Sequence, residues 1–116
     1  YIDDIIESLV RVLHKPATAD PLFDSGTPNP GSSWAPHRVF NIGNSSPTPL
    51  MHYIDAIESA LDITAIKEFL PMQPGDVVAT AADTTSLEIW INYKPRTAIQ
   101  EGIGMFVEWY RLYYNI

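Results

Sequence analysis

Proline is the residue that most limits how this chain can fold, since its 116 residues include 10 prolines. Segment 15–36 is rich in proline, glycine, serine and aspartate. A proline fixes its own φ and has no backbone N–H, so this segment can form neither a regular helix nor an interior strand. We therefore predict a long loop over residues 15–36, of a length that is functional or mobile in folded domains.

Four segments outside this loop predict helices. We expect the first helix to be capped by Asp3 or Asp4 and to end at residues 14–16, where a proline follows cationic side chains. The second is expected to begin at Pro47 or Pro49, because each follows a serine or threonine that can act as N-cap. These two starts therefore depend on capping side chains.

The third predicted helix spans Thr84–Ile91, with Asp83 as its cap and Asn92 in left-handed geometry after its end. The fourth follows a Thr97 cap and ends near Tyr114. Its apolar and aromatic residues form one broad seam, which we expect to pack in the core rather than to hold a cofactor. The seam consists of Ile99, Ile103, Met105, Phe106, Trp109, Tyr110, Leu112 and Tyr113.

Short apolar runs predict strands at Arg38–Ile42, Ile66–Leu70 and Val77–Ala82, the last of them irregular. Four helices with a few short strands indicate a helix-rich α+β or α/β domain, and we expect the α+β class. The length of the chain predicts a single unit over residues 1–116. Because the first residue is Tyr1 and not methionine, we expect the chain to be a fragment or a processed product.

Composition excludes several functions. The net charge is −7, and the 7 basic residues are scattered, so no basic patch is available for nucleic acid. No apolar run approaches the length of a membrane span, and no signal peptide is visible. Cysteine is absent, which excludes disulfides and cysteine metal sites and fits a cytoplasmic protein.

No catalytic or metal-binding motif stands out. The three histidines, His14, His37 and His52, are far apart and have no ligand spacing. The sequence contains no Gly-x-Ser-x-Gly, no P-loop and no Gly-x-Gly-x-x-Gly. We therefore predict no catalytic residue, no cofactor-binding residue and no metal ligand in this chain.

One polar turn is the candidate binding site. In the octet Phe69–Asp76, Pro74 fixes its own φ and Gly75 can take a positive φ, so Gln73 and Asp76 flank a tight bend. An ionised Asp76 only accepts hydrogen bonds, whereas Gln73 both donates and accepts. This pair suits a ligand with hydroxyls and an amide-like ring, such as a nucleotide sugar. From the octet alone, an ordinary surface turn in which Asp76 caps the next segment is favoured over a binding site, because Pro-Gly turns are common.

Several segments, read together, resemble one family. They are Tyr1–Ile5, Arg38–Pro47, Phe69–Val77, Asn92–Pro95 and Phe106–Tyr110, in this order. The chain is similar over nearly its whole length to the C-terminal third of extended short-chain dehydrogenase/reductase enzymes that act on nucleotide sugars. Within that group it most resembles the UDP-glucuronate 4-epimerases. The order and spacing of the segments carry the resemblance, because each motif by itself is modest.

The resemblance implies an NAD-binding Rossmann domain and a Ser/Thr–Tyr–Lys catalytic set, both upstream of this chain. It implies that this chain is the substrate-binding portion, inactive by itself, with Gln73 and Asp76 near the ribose and phosphates of a UDP-sugar. Many sugar epimerases have a cation at the position of Gln73. Asp4 matches a family aspartate with a structural role, and Asn92 replaces a usual glycine at a helix end.

Two other functions remain open at this point. One is part of a nucleotide-sugar 4,6-dehydratase or decarboxylase, although dehydratases have a basic version of the turn. The other is a non-catalytic protein-interaction module that uses the aromatic last helix. Removing the Rossmann sheet would bare the apolar side of residues 1–13 and of the Arg38 strand, so we expect a homo-oligomer.

Overall fold

The computed structural model describes residues 1–116 and contains four helices joined by irregular segments. They are α1 (Ile2–Leu13), α2 (Leu50–Leu61), α3 (Thr85–Ile91) and α4 (Ile99–Tyr114). The predicted number of helices is therefore confirmed. None of the four combines the length and apolar character needed to cross a membrane.

The three predicted strands are not formed. Extended pairing is limited to one isolated antiparallel bridge, between Ser32 and Arg38. Because a strand is stable only beside a partner strand, the apolar runs at 38–42, 66–70 and 77–82 stay irregular without one. The structure is thus helix-rich, and the β part of the predicted α+β class is wrong for this chain.

The chain packs as two compact units. Unit 1 consists of Tyr1–Ser45 and Ala82–Arg96, and it contains α1 and α3. Unit 2 consists of Ser46–Ala81 and Thr97–Ile116, and it contains α2 and α4.

In unit 1, α1 packs with its polar stripe inward. Asp4 and Ser8 are buried, and the Ser8 hydroxyl donates to the Asp4 carbonyl at 2.7 Å. The Tyr93 hydroxyl donates to Asp4 Oδ1 at 2.8 Å, and the backbone N–H of Arg96 reaches the same oxygen at 3.4 Å. The helix begins at Ile2, so the predicted capping by Asp3 or Asp4 is wrong. Asp4 instead ties α1 to the segment that follows α3.

The apolar side of α1 faces solvent in this chain. Ile2, Ile6, Leu9 and Leu13 are 50–76% exposed, while the buried residues of the helix are polar. A surface helix of a globular protein normally has the opposite arrangement. A contiguous apolar face of this kind marks a contact surface.

The segment 15–36 is an irregular loop, as predicted. Its turns are closed by side chains: Asp24 Oδ1 accepts from the Gly26 N–H at 2.8 Å, and Asn29 Oδ1 accepts from the Gly31 N–H at 2.9 Å. The indole of Trp90 contacts a cationic side chain at the start of the loop and another just after its end. The Lys15 ammonium lies 4.6 Å from the centre of the Trp90 ring, and the Arg38 guanidinium lies 5.3 Å from it.

In unit 2, α2 packs against α4. Ala56 on α2 and Gly102 and Val107 on α4 are buried, and Arg111 donates to the Leu61 carbonyl at 3.0 Å. Neither helix has a side-chain cap at its start, because α2 begins at Leu50 after Pro49 and α4 begins after Ala98. Both helices therefore begin at least one residue later than predicted.

Much of the aromatic seam of α4 is exposed in this chain. Its rings stack on one another along the helix, with Trp109 and Tyr113 at 5.3 Å between centroids. Phe106, Trp109 and Tyr113 are 48%, 52% and 68% exposed. The expectation that this seam packs in the core is therefore wrong for these residues.

The end of α3 follows the sequence closely. Asn92 stands at the C-cap with φ 48° and ψ 47°, the left-handed geometry predicted for it. Asp83 Oδ1 accepts from the Thr85 N–H at 3.0 Å, but Thr84 occupies the N-cap position and the helix begins at Thr85, so both the predicted cap residue and the predicted start are one residue early. This hydrogen bond is the main reason that the pKa of Asp83 lies below its usual value.

We predict that Tyr93→Phe destabilises unit 1 by about 1–3 kcal/mol, because it removes a donor from the buried Asp4 carboxylate. Tyr113→Phe is the matched control, since Tyr113 is 68% exposed. The hydrogen bond to Asp4 also raises the pKa of Tyr93 above its usual 10.0. Its stabilising effect is therefore fully present below pH 10 and is lost as the pH rises through the raised pKa. Urea unfolding of both variants at pH 7 and of the unchanged chain up to pH 11 measures these effects; equal stability of the two variants would contradict the account.

Candidate functional site

The predicted bend at Gln73–Asp76 is present. The Asp76 N–H donates to the Gln73 carbonyl at 3.2 Å, which closes a four-residue turn around Pro74 and Gly75. Gly75 has a φ of +95°, as the third residue of a type II turn requires. The order Pro-Gly therefore shapes the turn through the backbone alone.

The two predicted binding residues lie at the two ends of this turn, and both are exposed. No helix begins after Asp76, because residues 77–84 are irregular, so Asp76 does not cap a following helix. An exposed carboxylate and an exposed amide on a fixed backbone can bind a ligand that carries both hydroxyls and polar ring atoms. They offer no cation for a phosphate.

The segments before and after the turn each line a groove together with residues of α2, within unit 2. Upstream of it, residues 65–69 and the side of α2 from Leu50 to Glu58 line a groove of about 360 Å³. Downstream of it, Val77–Thr80 line a second groove, of about 430 Å³, with Pro47–Leu50 and Tyr53. The Gln73–Asp76 turn thus connects two segments that both border the N-terminal half of α2.

The upstream segment is held by one carboxylate. Glu58 Oε1 accepts a 2.7 Å hydrogen bond from the Ala65 N–H and a short one from Lys67 Nζ. These donors, the Lys67 ammonium first, hold the pKa of Glu58 below its usual value. This pair was not predictable from the sequence, because a nine-residue separation matches no helix or strand spacing.

Other residues named from the sequence do not join the turn. Asp4 lies in unit 1, where its contacts with Tyr93 and Arg96 are structural, in agreement with the role that the resemblance implies. No three histidine, aspartate or glutamate side chains come together as a metal site would require.

We predict that Gly75→Ala destabilises the chain by about 1–2 kcal/mol, through backbone strain at a positive φ. A Cβ at this position meets nothing within 4 Å, so steric overlap contributes nothing. Gly104→Ala is the control: its Cβ also meets nothing, but the helical position in α4 makes the change stabilising by about 0.5–1 kcal/mol. Amide exchange at Asp76 reports on the turn, and unchanged protection there in Gly75→Ala would contradict the assigned geometry.

Comparison with known proteins identifies relatives over the full length of the chain. No family model matches it. The chain is 46% identical to Protein CapI of Staphylococcus aureus over 115 residues, which are 99% of this chain and 34% of CapI. It is 36% identical to UDP-glucuronate 4-epimerase 3 of Arabidopsis thaliana and 37% identical to UDP-glucuronate 4-epimerase 4, over 99% of this chain in both cases.

This chain spans only part of each relative, about a third of CapI and 26% and 25% of the two Arabidopsis proteins. The similarity includes the Gln73–Asp76 turn, since it extends over nearly all of the 116 residues. These identities confirm the resemblance that the sequence suggested, and the chain is a homologue of one segment of the UDP-glucuronate 4-epimerases.

Proposed function

We propose that this chain is the C-terminal, substrate-binding part of an NAD-dependent nucleotide-sugar 4-epimerase that acts on UDP-glucuronate in the cytoplasm. The Rossmann domain, its NAD and the Ser/Thr–Tyr–Lys set belong to the part of the parent that this chain does not span. The isolated chain is therefore inactive, and units 1 and 2 together form one substrate-binding part.

The main support is similarity along the whole chain to proteins that are about four times as long and are named UDP-glucuronate 4-epimerases. The sequence lacks a glycine-rich dinucleotide fingerprint, which fits a chain that leaves cofactor binding to another segment. Its pre-shaped polar turn is the feature best suited to a ligand.

In this proposal the turn recognises the nucleotide rather than the reacting sugar carbon. Asp76 accepts hydrogen bonds from the ribose hydroxyls, which need no neutralising charge. Gln73 donates to a phosphate oxygen or to the ribose. Because the Pro74–Gly75 backbone is already fixed, binding orders only a few side-chain torsions, which limits the entropic cost of association.

The exposed apolar side of α1 is evidence that another part of the parent protein packs against this helix. Helix α1 buries Asp4 and Ser8 and exposes Ile6 and Leu9, so its apolar face is arranged for a surface outside this chain. We propose that the Rossmann part of the parent covers this face. In the isolated chain, two copies cover it for each other, and light scattering at high dilution is expected to give a dimer or larger species rather than a monomer.

A chimera tests the proposed function. The matching segment of Arabidopsis UDP-glucuronate 4-epimerase 3 is replaced by residues 1–116, and epimerisation of UDP-glucuronate is measured with NAD present. We expect the chimera to be active, and Asp76→Ala to raise KM about tenfold or more with a smaller effect on kcat, as loss of a hydrogen bond to the nucleotide requires. Asp83→Ala is the control, because Asp83 acts only at the start of α3.

A folded chimera that binds NAD but has no activity on UDP-glucuronate would contradict the proposal. Activity that removes water or carbon dioxide from the sugar would instead assign the chain to a dehydratase or decarboxylase. The exposed aromatic face of α4 favours an interaction module as the other candidate. A folded, NAD-binding chimera with no activity on any nucleotide sugar would support it, whereas equal KM values for Asp76→Ala and Asp83→Ala in an active chimera would show only that Asp76 does not contact the substrate.

A further inference from the structure

We infer that Glu58 is a positioning residue for the Gln73–Asp76 turn: through its contacts with Ala65 and Lys67 it fixes the segment that leads into the turn. The inference rests on the proposed function only for the identity of the ligand. The contacts themselves do not depend on it.

Several interactions converge on Glu58 near the end of α2, beginning with the Asp62 N–H, which donates to its carbonyl. Its backbone carbonyl accepts from the Ile63 N–H at 3.2 Å, after Asp62 turns the chain with a φ of 57°. Its carboxylate accepts from the Ala65 N–H and from Lys67 Nζ. The Glu58 carbonyl thus stabilises the chain reversal at Asp62, and its carboxylate holds the first residues of the returning segment.

The returning segment has few other means of support. Residues 63–72 form no helix and no strand, and Ile66 and Phe69 are 102% and 78% exposed. The Glu58 and Lys67 side chains are only 20% and 25% exposed, so their ion pair is better shielded from water than a typical surface pair. The pair is therefore the main fixed point between the end of α2 and the turn.

Position along the chain connects this pair to the binding residues. Phe69 borders the same groove as Met51 and Ile54, so the segment held at Lys67 runs back along α2 before it reaches Gln73. When Glu58 releases Ala65 and Lys67, the upstream side of the turn loses its fixed point, while the Pro74–Gly75 bend keeps its local shape. The turn then samples more positions, and the ligand must order it on binding.

The experiment compares six variants of the full 116-residue chain, the sixth of them Asp76→Ala. Glu58→Ala removes both side-chain contacts, Glu58→Gln keeps an acceptor for Ala65, and Lys67→Met removes only the ion pair. Lys67→Arg keeps the charge and is the conservative rescue. Glu7→Gln is the matched control for the Glu58 variants. It breaks a 2.6 Å ion pair with Arg11 in unit 1, and it removes one negative charge, as Glu58→Ala and Glu58→Gln do.

Two properties are measured: ¹⁵N relaxation of residues 73–76, and the Kd for UDP-glucuronate by calorimetry. We expect Glu58→Ala to increase the mobility of the turn and to weaken binding about tenfold, and Lys67→Met and Glu58→Gln to do so less. Lys67→Arg and Glu7→Gln should resemble the unchanged chain. Asp76→Ala should weaken binding about tenfold or more without making residues 65–67 mobile.

The two measurements separate the two claims. If the unchanged chain and all variants fail to bind UDP-glucuronate, the proposed function loses its support, but relaxation still decides the role of Glu58. If Glu58→Ala leaves residues 73–76 as ordered as in the unchanged chain, the positioning role is overturned, whatever happens to binding. A general loss of order that includes α4 would also overturn it, because the effect would then be unfolding.

Discussion

The packing of α2 against α4 is the interaction on which the candidate site depends. Segments on both sides of the Gln73–Asp76 turn border α2, and neither segment forms a helix or strand of its own. A helix of 12 residues is only marginally stable in water by itself, so α2 needs the contact with α4. Small residues at this contact, Ala56 and Gly102, leave little side-chain entropy to lose. The backbone of the turn is thus fixed by Pro74 and Gly75, and the position of its flanking segments depends on the packed pair of helices α2 and α4.

The periodicity of apolar residues predicted the helices well. This period follows from the geometry of the helix itself and does not depend on which surface covers its apolar side. Helix ends were less predictable. Asp4 is acidic and near a helix start, which favours a cap, but a hydrogen bond from the distant Tyr93 gives it another role. Asn92 was predicted correctly, since left-handed geometry at a helix end depends on the residue itself.

The predicted strands and the buried aromatic seam failed for a common physical reason. A strand needs a partner strand, and an apolar face needs a second surface to cover it. The local sequence of an apolar run does not show whether that partner or surface is present. The runs at 38–42 and 66–70 stay irregular, and Trp109 and Tyr113 stay exposed. The same argument applies to α1, whose polar stripe is buried and whose apolar face is open. These features are consistent with a chain that matches only about a quarter to a third of its relatives.

The backbone shape of the Gln73–Asp76 turn was predictable from the sequence, but the contacts that hold the segment leading into it were not. Pro74 and Gly75 determine the bend through their own backbone preferences, so the sequence alone predicted the placement of Gln73 and Asp76 on either side of it. The contact of Glu58 with Lys67 joins a helix to an irregular segment, and no periodic pattern encodes such a pair. The chemistry of the Gln73 amide and the Asp76 carboxylate allowed a nucleotide sugar but did not distinguish a binding site from an ordinary surface turn, and the resemblance to a family favoured the binding site.

The central claim is that this turn contacts a nucleotide sugar. The most direct test is a titration of the ¹⁵N-labelled chain with UDP-glucuronate, followed through the amide resonances. The account predicts that the resonances of Gln73, Gly75, Asp76 and residues 77–80 shift together and saturate, and that in Asp76→Ala they need about tenfold or more UDP-glucuronate to do so. Saturable shifts confined to α4 or to unit 1, with the turn unchanged, would contradict it.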